Sequence, residues 1–364
     1  MSAFASAAGA PIIRNETLLE SVRADFGVSL SSMSQVYGGQ DSDAVVLRAV
    51  TVSGAAMAVK VSSNMRVGGL LTSALLAATI PYGIPTPVLS RSGLPYSLVS
   101  GRRLSLTPWI AGHGAYDAGM DAHQWRSFGA LLSQVHAVQV PATVADHLLA
   151  EDYRTPAAAV ARALDERVRQ RAASSDLARS DDSPAGALIR EWRAAGDALA
   201  MILAHIDDLG DELRASSATS VVCHGDAHIG NLQLGDDSGD GDSSDGGVWL
   251  LDWDEVVRAP RERDLMFVIG GVIARAPVTA EQQKWFFDGY GPANIDPNLL
   301  AYYRCSWALQ DVADFAARIL DQPDGGSLEA GQALRLFRDV VSPTGIVLLA
   351  ARSLHQIGRV PDLT

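Results

Sequence analysis

The chain has 364 residues, 48% hydrophobic and 20% charged, so it can build two lobes with cores of their own and is too apolar to be a disordered chain. Its net charge of −13 is uneven, with residues 1–116 at +3 and the remainder at −16, a balance that repels nucleic acid and leaves room for a cationic partner beside ordinary solvation. No apolar run reaches membrane-span length, residues 1–13 lack the basic start of a secretory signal, and Cys223 and Cys305 alone make no disulfide framework, so a cytoplasmic protein with no membrane or nucleic-acid partner is expected.

Asn15 followed by Glu16-Thr17-Leu18-Leu19-Glu20 predicts a capped helix running to about Phe26. Three antiparallel strands follow: Ser29–Tyr37, Ala44–Val52 and Ala56–Val61, the first ending in the glycine-bearing turn Gly38-Gly39-Gln40-Asp41-Ser42-Asp43. A short helix is predicted within Met65–Ala78, then strands at Thr86–Ser90 and Leu104–Ile110. Helical spacing takes over at Asp121–Ala137, Pro156–Ala172 and Ala185–Ile206. A strand at Ser220–Cys223 leads to a hairpin, Asn231–Leu234 with Val248–Asp252, whose tip from Gly235 to Gly247 is mostly Gly, Asp and Ser. Helices are predicted from Pro260 onward. The sum is an α+β, two-lobed chain. A small antiparallel β lobe with its hinge (residues 1–111) precedes a larger, mainly helical lobe with an embedded β-hairpin (residues 112–364).

The chemistry concentrates in His224-Gly225-Asp226-Ala227-His228-Ile229-Gly230-Asn231 and in Leu250-Leu251-Asp252-Trp253-Asp254. A carboxylate, then Asn five residues on, then a strand ending in Asp is the layout of a protein-kinase-type phosphoryl-transfer site. Asp226, at a strand-to-loop transition, is placed to take the proton or hydrogen bond of an attacking hydroxyl. Asn231 and Asp252 offer the hard oxygen ligands that magnesium prefers. Asp254 is either a supporting carboxylate behind them or a contact for a cationic substrate. Lys60 and Lys284 are the only lysines, beside 27 arginines, so a lysine in the strand Met57-Ala58-Val59-Lys60 stands out as a nucleotide ligand. Gly38 and Gly39, with Ser42 in the same turn, are candidates to let backbone amides approach a phosphate. His228, two residues past Asp226, faces either the transferred phosphoryl group or solvent, and His224 is expected to pack behind the loop against backbone.

On these residues the chain resembles the aminoglycoside phosphotransferase family, whose fold is kinase-like. The segments Leu250–Glu255, Pro260–Phe267, Phe287–Gly291 and Tyr302-Tyr303-Arg304 are most similar to its spectinomycin phosphotransferases. The resemblance implies ATP or GTP as donor, Mg2+, and as acceptor a hydroxyl on an antibiotic or similar small molecule. By the same likeness Asp226 is the base, Asn231 and Asp252 bind metal, Lys60 holds the nucleotide, and the backbone of Thr107, Trp109 and Ile110 reads adenine. The acidic rear lobe suggests an amine-bearing acceptor, with Asp254, Glu255 and Asp311 as candidate contacts. One departure is plain: kinase-type sites hold the lysine with a Glu from the next helix, and no Asp or Glu occurs between Ala44 and Tyr116. The phosphates, Asp252 or hydroxyl groups would have to orient Lys60 instead. Alternatives are a metabolic kinase acting on homoserine, choline or a sugar, a non-catalytic nucleotide-binding module, and a metal hydrolase using His224, Asp226 and His228.

Overall fold

Alternation of small and β-branched residues sets the front sheet. The computed structural model describes residues 13–36, 44–173, 183–216, 218–235, 247–321 and 328–360. Gly38, Gly39, Ser42 and the hairpin tip 236–246 lie outside the described residues. The chain divides into two compact units, residues 1–149 with 224–257, and residues 150–223 with 258–364.

In the first unit, helix α1 (Asn15–Ser21) widens into a π-turn over Val22–Phe26. Asn15 is its first helical residue rather than its cap, a position held by Arg14 without a side-chain bond. Five strands then form an antiparallel sheet in the order β1-β2-β3-β5-β4: β1 (Leu30–Gln35), β2 (Ala44–Thr51), β3 (Ala56–Ser62), β4 (Ser97–Val99) and β5 (Arg102–Pro108). The fourth strand falls later than the expected Thr86–Ser90. That stretch is extended but joins the sheet by a single bond, from the Val88 amide to the Leu106 carbonyl.

One face of this sheet is the core. Leu47, Ala49, Met57, Val59, Val61, Leu104 and Leu106 pack with Leu18, Val22 and Phe26 of the α1 segment. Strand side chains alternate between faces, so Lys60 and Ser62 of β3 point away from that core, as do Arg103 and Ser105 of β5. Lys60 pairs with Ser105, and Ser62 with Arg103. The lysine and the arginine are therefore diagonal neighbours on the second face.

Helix α2 (Gly68–Thr79) follows β3. After β5, strand β6 (Gly112–Gly114) leads to helix α3 (Ala122–Ala137), whose start is a capping box between Asp121 and Gln124. The hairpin strands β7 (Leu232–Gly235) and β8 (Val248–Leu250) pair with each other, and β6 adds to β7. The chain leaving the front sheet is thereby stitched to the hairpin that carries both motifs.

The second unit is mainly helical: α4 (Pro156–Ala173), α5 (Pro184–Ala194), α6 (Gly196–Arg214), α7 (Ala280–Tyr290), α8 (Pro297–Leu320), α9 (Leu328–Val341) and α10 (Ile346–Gln356). The single helix expected over Ala185–Ile206 is two, parted at Ala195 just before Gly196, a poor helix former. Helix α8 runs through the middle, packed by α4, α6, α9 and α10, and buries residues on every side along its 24 residues. Trp192 of α5 stacks on Phe337 of α9. Among the described residues, no helix is long and apolar enough to cross a membrane.

Candidate active site

The loop after Cys223 is built around a buried imidazole. His224 is fully buried, accepts the Asp226 amide proton at Nδ1 (3.3 Å) and donates from Nε2 to the Leu251 carbonyl (2.9 Å). One ring thus ties the loop of Asp226 to the residue before Asp252 and fixes its own tautomer. Its edge also packs on Trp253 at 4.6 Å between centroids. With both ring nitrogens bound to backbone, His224 cannot join the ligand set of the hydrolase alternative. Gly225 has a left-handed φ of 83°, and a Cβ there would overlap the Glu255 carbonyl oxygen, so only glycine lets the two segments pass this closely.

Asp226 and Asn231 meet directly. The Asn231 amide nitrogen donates to Asp226 Oδ2 and to the Asp226 backbone carbonyl, both at 2.8 Å. This uses the nitrogen end of the amide and leaves its oxygen as the end that can ligate a cation. The other carboxylate oxygen of Asp226, Oδ1, is buried without a hydrogen-bond partner. His228 Nε2 lies 3.3 Å from it. His228 accepts the Gly230 amide proton at Nδ1 (2.9 Å), which leaves the ring proton on Nε2, facing Asp226.

Asp252 follows β8 in a left-handed conformation, φ 61° and ψ 71°, uncommon for any residue but glycine and tolerated best by Asp and Asn. It opens a short 3-10 turn, Trp253–Glu255, and turns its carboxylate to Lys60, with Oδ1 2.8 Å from Nζ. Lys60 makes a second ion pair of 2.9 Å with Asp254 Oδ2. The other oxygen of Asp254 pairs at 2.6 Å with Arg103, which is 2% exposed and also donates to the Arg66 carbonyl. Glu255 pairs with Arg66 at 2.9 Å. Three acids on one turn therefore answer three cations of the acid-free front segment.

Burial alone would lower the Lys60 pKa, but Asp252 and Asp254 reverse this and raise it above its ordinary 10.5. Burial alone would raise that of Asp254, but Lys60 and Arg103 hold it below 3.8. The lysine is charged, and so is the acid beside it, at any pH near neutrality.

The structure thus brings together Lys60, Asp252 and Asp254 by ion pairs, and Asp226, Asn231 and His228 by hydrogen bonds, with His224 linking the two groups. Thr107 lies on β5 opposite Ala58, and the Trp109 amide is donated to the Ala56 carbonyl, with Arg48 over the indole ring. Ile110 follows, between β5 and β6. Asp311 belongs to the second unit, half-buried on α8. Reading the sequence for motifs misses Arg103. Its only signal is an Arg within a strand, with no acid nearby in the chain to match it.

An antiparallel front sheet, a mainly helical remainder and a motif-bearing hairpin define a kinase-like fold of the small-molecule phosphotransferase class. The sequence profile of the phosphotransferase enzyme family matches residues 74–305, and the chain belongs to that family. Spectinomycin phosphotransferase APH(9)-Ia, solved with ADP and spectinomycin, superposes with a TM-score of 0.79 at 22% identity, over 94% of this chain and 99% of that one. The amicoumacin kinase hAmiN, solved with AMP-PNP, Ca2+ and Ami, gives 0.59 at 15% identity, over 93% and 97% of the two chains. An aminoglycoside phosphotransferase from Alicyclobacillus acidocaldarius gives 0.59 at 16%, over 97% and 98%. At such identities the likeness speaks for the fold. No curated protein sequence matches the chain significantly.

Proposed function

We propose that this phosphotransferase transfers the γ-phosphoryl group of ATP or GTP to a hydroxyl of a small, cationic antibiotic of aminoglycoside or aminocyclitol type, and so confers resistance. The observation that carries the transfer is the pairing of Asp226 with Asn231 at 2.8 Å, beside a lysine held at 2.8 Å from Asp252. Support for the acceptor class comes from the similarly folded proteins solved with spectinomycin and amicoumacin, and from the surplus of −16 beyond residue 116.

In this reading Asn231 orients the Asp226 carboxylate through Oδ2, and the carboxylate accepts the proton of the acceptor hydroxyl. The hydroxyl oxygen forms its bond to the γ-phosphorus as the bond to the β–γ bridging oxygen breaks, leaving a nucleoside diphosphate. Lys60 binds the α and β phosphates. The Asn231 amide oxygen and the Asp252 carboxylate are a fitting pair of hard ligands for magnesium, since Asp252 is 45% exposed and pairs with Lys60 through only one of its oxygens. Bound there, magnesium would neutralise phosphate charge during transfer. His228, facing Asp226 through Nε2, lies where it can contact the transferred group. Thr107, Trp109 and Ile110 would read the base, with the Trp109 amide already spent on Ala56. Glu255 and Asp311 are retained as acceptor contacts. Functionally the lobes divide at 111/112, nucleotide in front and catalytic loop and acceptor site behind.

The test is mass spectrometry of a mixed antibiotic panel incubated with the protein, magnesium and ATP or GTP. A phosphate mass gain on one compound, absent with Asp226→Ala, is the expected result. Gain on homoserine, choline or a sugar alone would replace the antibiotic reading by the metabolic one. Nucleotide binding without turnover on any acceptor would replace both.

A further inference from the structure

We propose that Asp254 is the positioning residue for Lys60, supplying from the turn after the hairpin the carboxylate that kinase-type sites draw from the helix after the lysine strand. This rests on the reading of Lys60 as the phosphate-binding lysine, and it answers the absence of any acid between Ala44 and Tyr116.

Three observations carry it. First, the helix that would offer an acid has no room for one at its start. A Cβ on Gly69, in the first turn of α2, would overlap the Trp253 carbonyl oxygen. The turn bearing Asp254 therefore lies directly on the helix, and Gly69 is what lets the two backbones meet. Second, Asp254 is the more buried of the two acids on Lys60, although the hydrogen bond from Nζ goes to Asp252 Oδ1. Its side chain is 14% exposed against 45% for Asp252, and Arg103 grips its second oxygen from inside. A carboxylate fixed on its inner side by a buried guanidinium is a rigid anchor, because the arginine cannot leave without stranding its own charge. Third, the sheet register puts the two cations diagonally adjacent on the same face, so one acid placed between them satisfies both.

The division of labour has a chemical purpose. Asp252 pairs with Lys60 and is also the proposed metal ligand, and a lysine held only by Asp252 would be released whenever that carboxylate turned to a cation. With Asp254 behind it, Lys60 keeps its place and its charge while Asp252 is free to move.

The chain's lysine content makes this directly measurable. Lys60 and Lys284 are the only lysines, and Lys284, exposed and paired with Asp288, serves as an internal reference. Trace acylation with acetic anhydride, without nucleotide, is read at the two lysine peptides by mass spectrometry. Relative to Lys284, Lys60 labelling should rise more in Asp254→Asn than in Asp252→Asn, because only the first variant loses the buried anchor and lets the ammonium swing out to the reagent. ATP–magnesium or GTP–magnesium binding, followed by thermal shift, should weaken by about tenfold in Asp254→Asn. Unchanged Lys60 labelling in Asp254→Asn, or a larger rise in Asp252→Asn, overturns the proposal. Should Asp254→Asn fail to fold because Arg103 is stranded, Asp254→Asn/Arg103→Met removes both charges, and the same labelling decides. A parent protein that binds neither nucleotide would defeat the phosphotransfer reading and leave the lysine labelling to stand or fall by itself.

Discussion

Gly69 meets the Trp253 carbonyl with no space for a methyl group between them. The contact sets how near helix α2 comes to the turn that carries Asp252, Asp254 and Glu255, and so how near those acids come to Lys60, Arg103 and Arg66. Gly69→Ala must push two backbones apart. It should cost about 1–3 kcal/mol in urea or thermal unfolding, the usual range for overpacking. Gly331→Ala, near the start of α9 with open space where its Cβ would sit, should instead stabilise by up to about 1 kcal/mol. Equal effects of the two would show that the close approach does not matter.

Asp226→Ala should lower phosphoryl transfer by about 10²–10⁴-fold, the range for a lost general base, while thermal stabilisation by nucleotide persists. Asn231→Ala should impair both readings at once. It removes the two bonds that hold Asp226 and also a proposed metal ligand, so magnesium dependence should shift along with rate. The check is a magnesium titration of turnover in parent and variant.

The acid and alkaline limits of the Lys60–Asp254 pair differ in sign. The folded pKa of Lys60 lies above its ordinary 10.5, so its stabilisation is complete below that value and is lost only as pH rises through the still higher folded one. Asp254 has a folded pKa below 3.8, so its contribution is present above that pH and is lost as pH falls through the lower folded one. Stability measured between pH 5 and 9 should show no inflection from either group. Below about pH 4 the parent should lose stability more steeply than Asp254→Asn, as read by thermal melts across an acid series.

Both cysteines should be silent until the chain unfolds. Cys223 and Cys305 are fully buried, and burial drives both thiols upward, Cys305 to about 12. A colorimetric thiol reagent at pH 8 should find no fast-reacting group in the native protein and two in denaturant.

Much of the architecture was legible because periodicity alone specifies it. Strands β2 and β3 and helices α3 and α4 fall within a residue or two of where alternation and 3.6-residue spacing put them. The strand at Ser97–Val99 was not legible. It has three residues, too few for a pattern, and the longer extended run at Thr86–Ser90 drew attention in its place. The break at Ala195 was equally hidden, since the apolar spacing runs on across it.

In the site, Asp226, Asn231 and Asp252 are candidates by motif spacing, and Lys60 by its rarity and its strand. The ion pairs of Asp254 could not be read from the sequence, because its partners Lys60 and Arg103 lie more than a hundred residues away in the chain and nothing local tells a strand arginine to be buried. The absence of acids over residues 44–116 and the glycine at 69 are two halves of one message, decipherable only once the turn is seen lying on the helix.

That arrangement also limits what recombination can do with this enzyme. The front segment, residues 44–116, carries Lys60, Arg66 and Arg103 and no counter-charge of its own; the turn after the hairpin supplies it. A front segment cut at residue 111 and grafted onto a relative would inherit a buried guanidinium with nothing to neutralise it. Viable chimeras should therefore be those that move residues 224–257 along with the sheet, so that the heritable cassette is discontinuous in the gene.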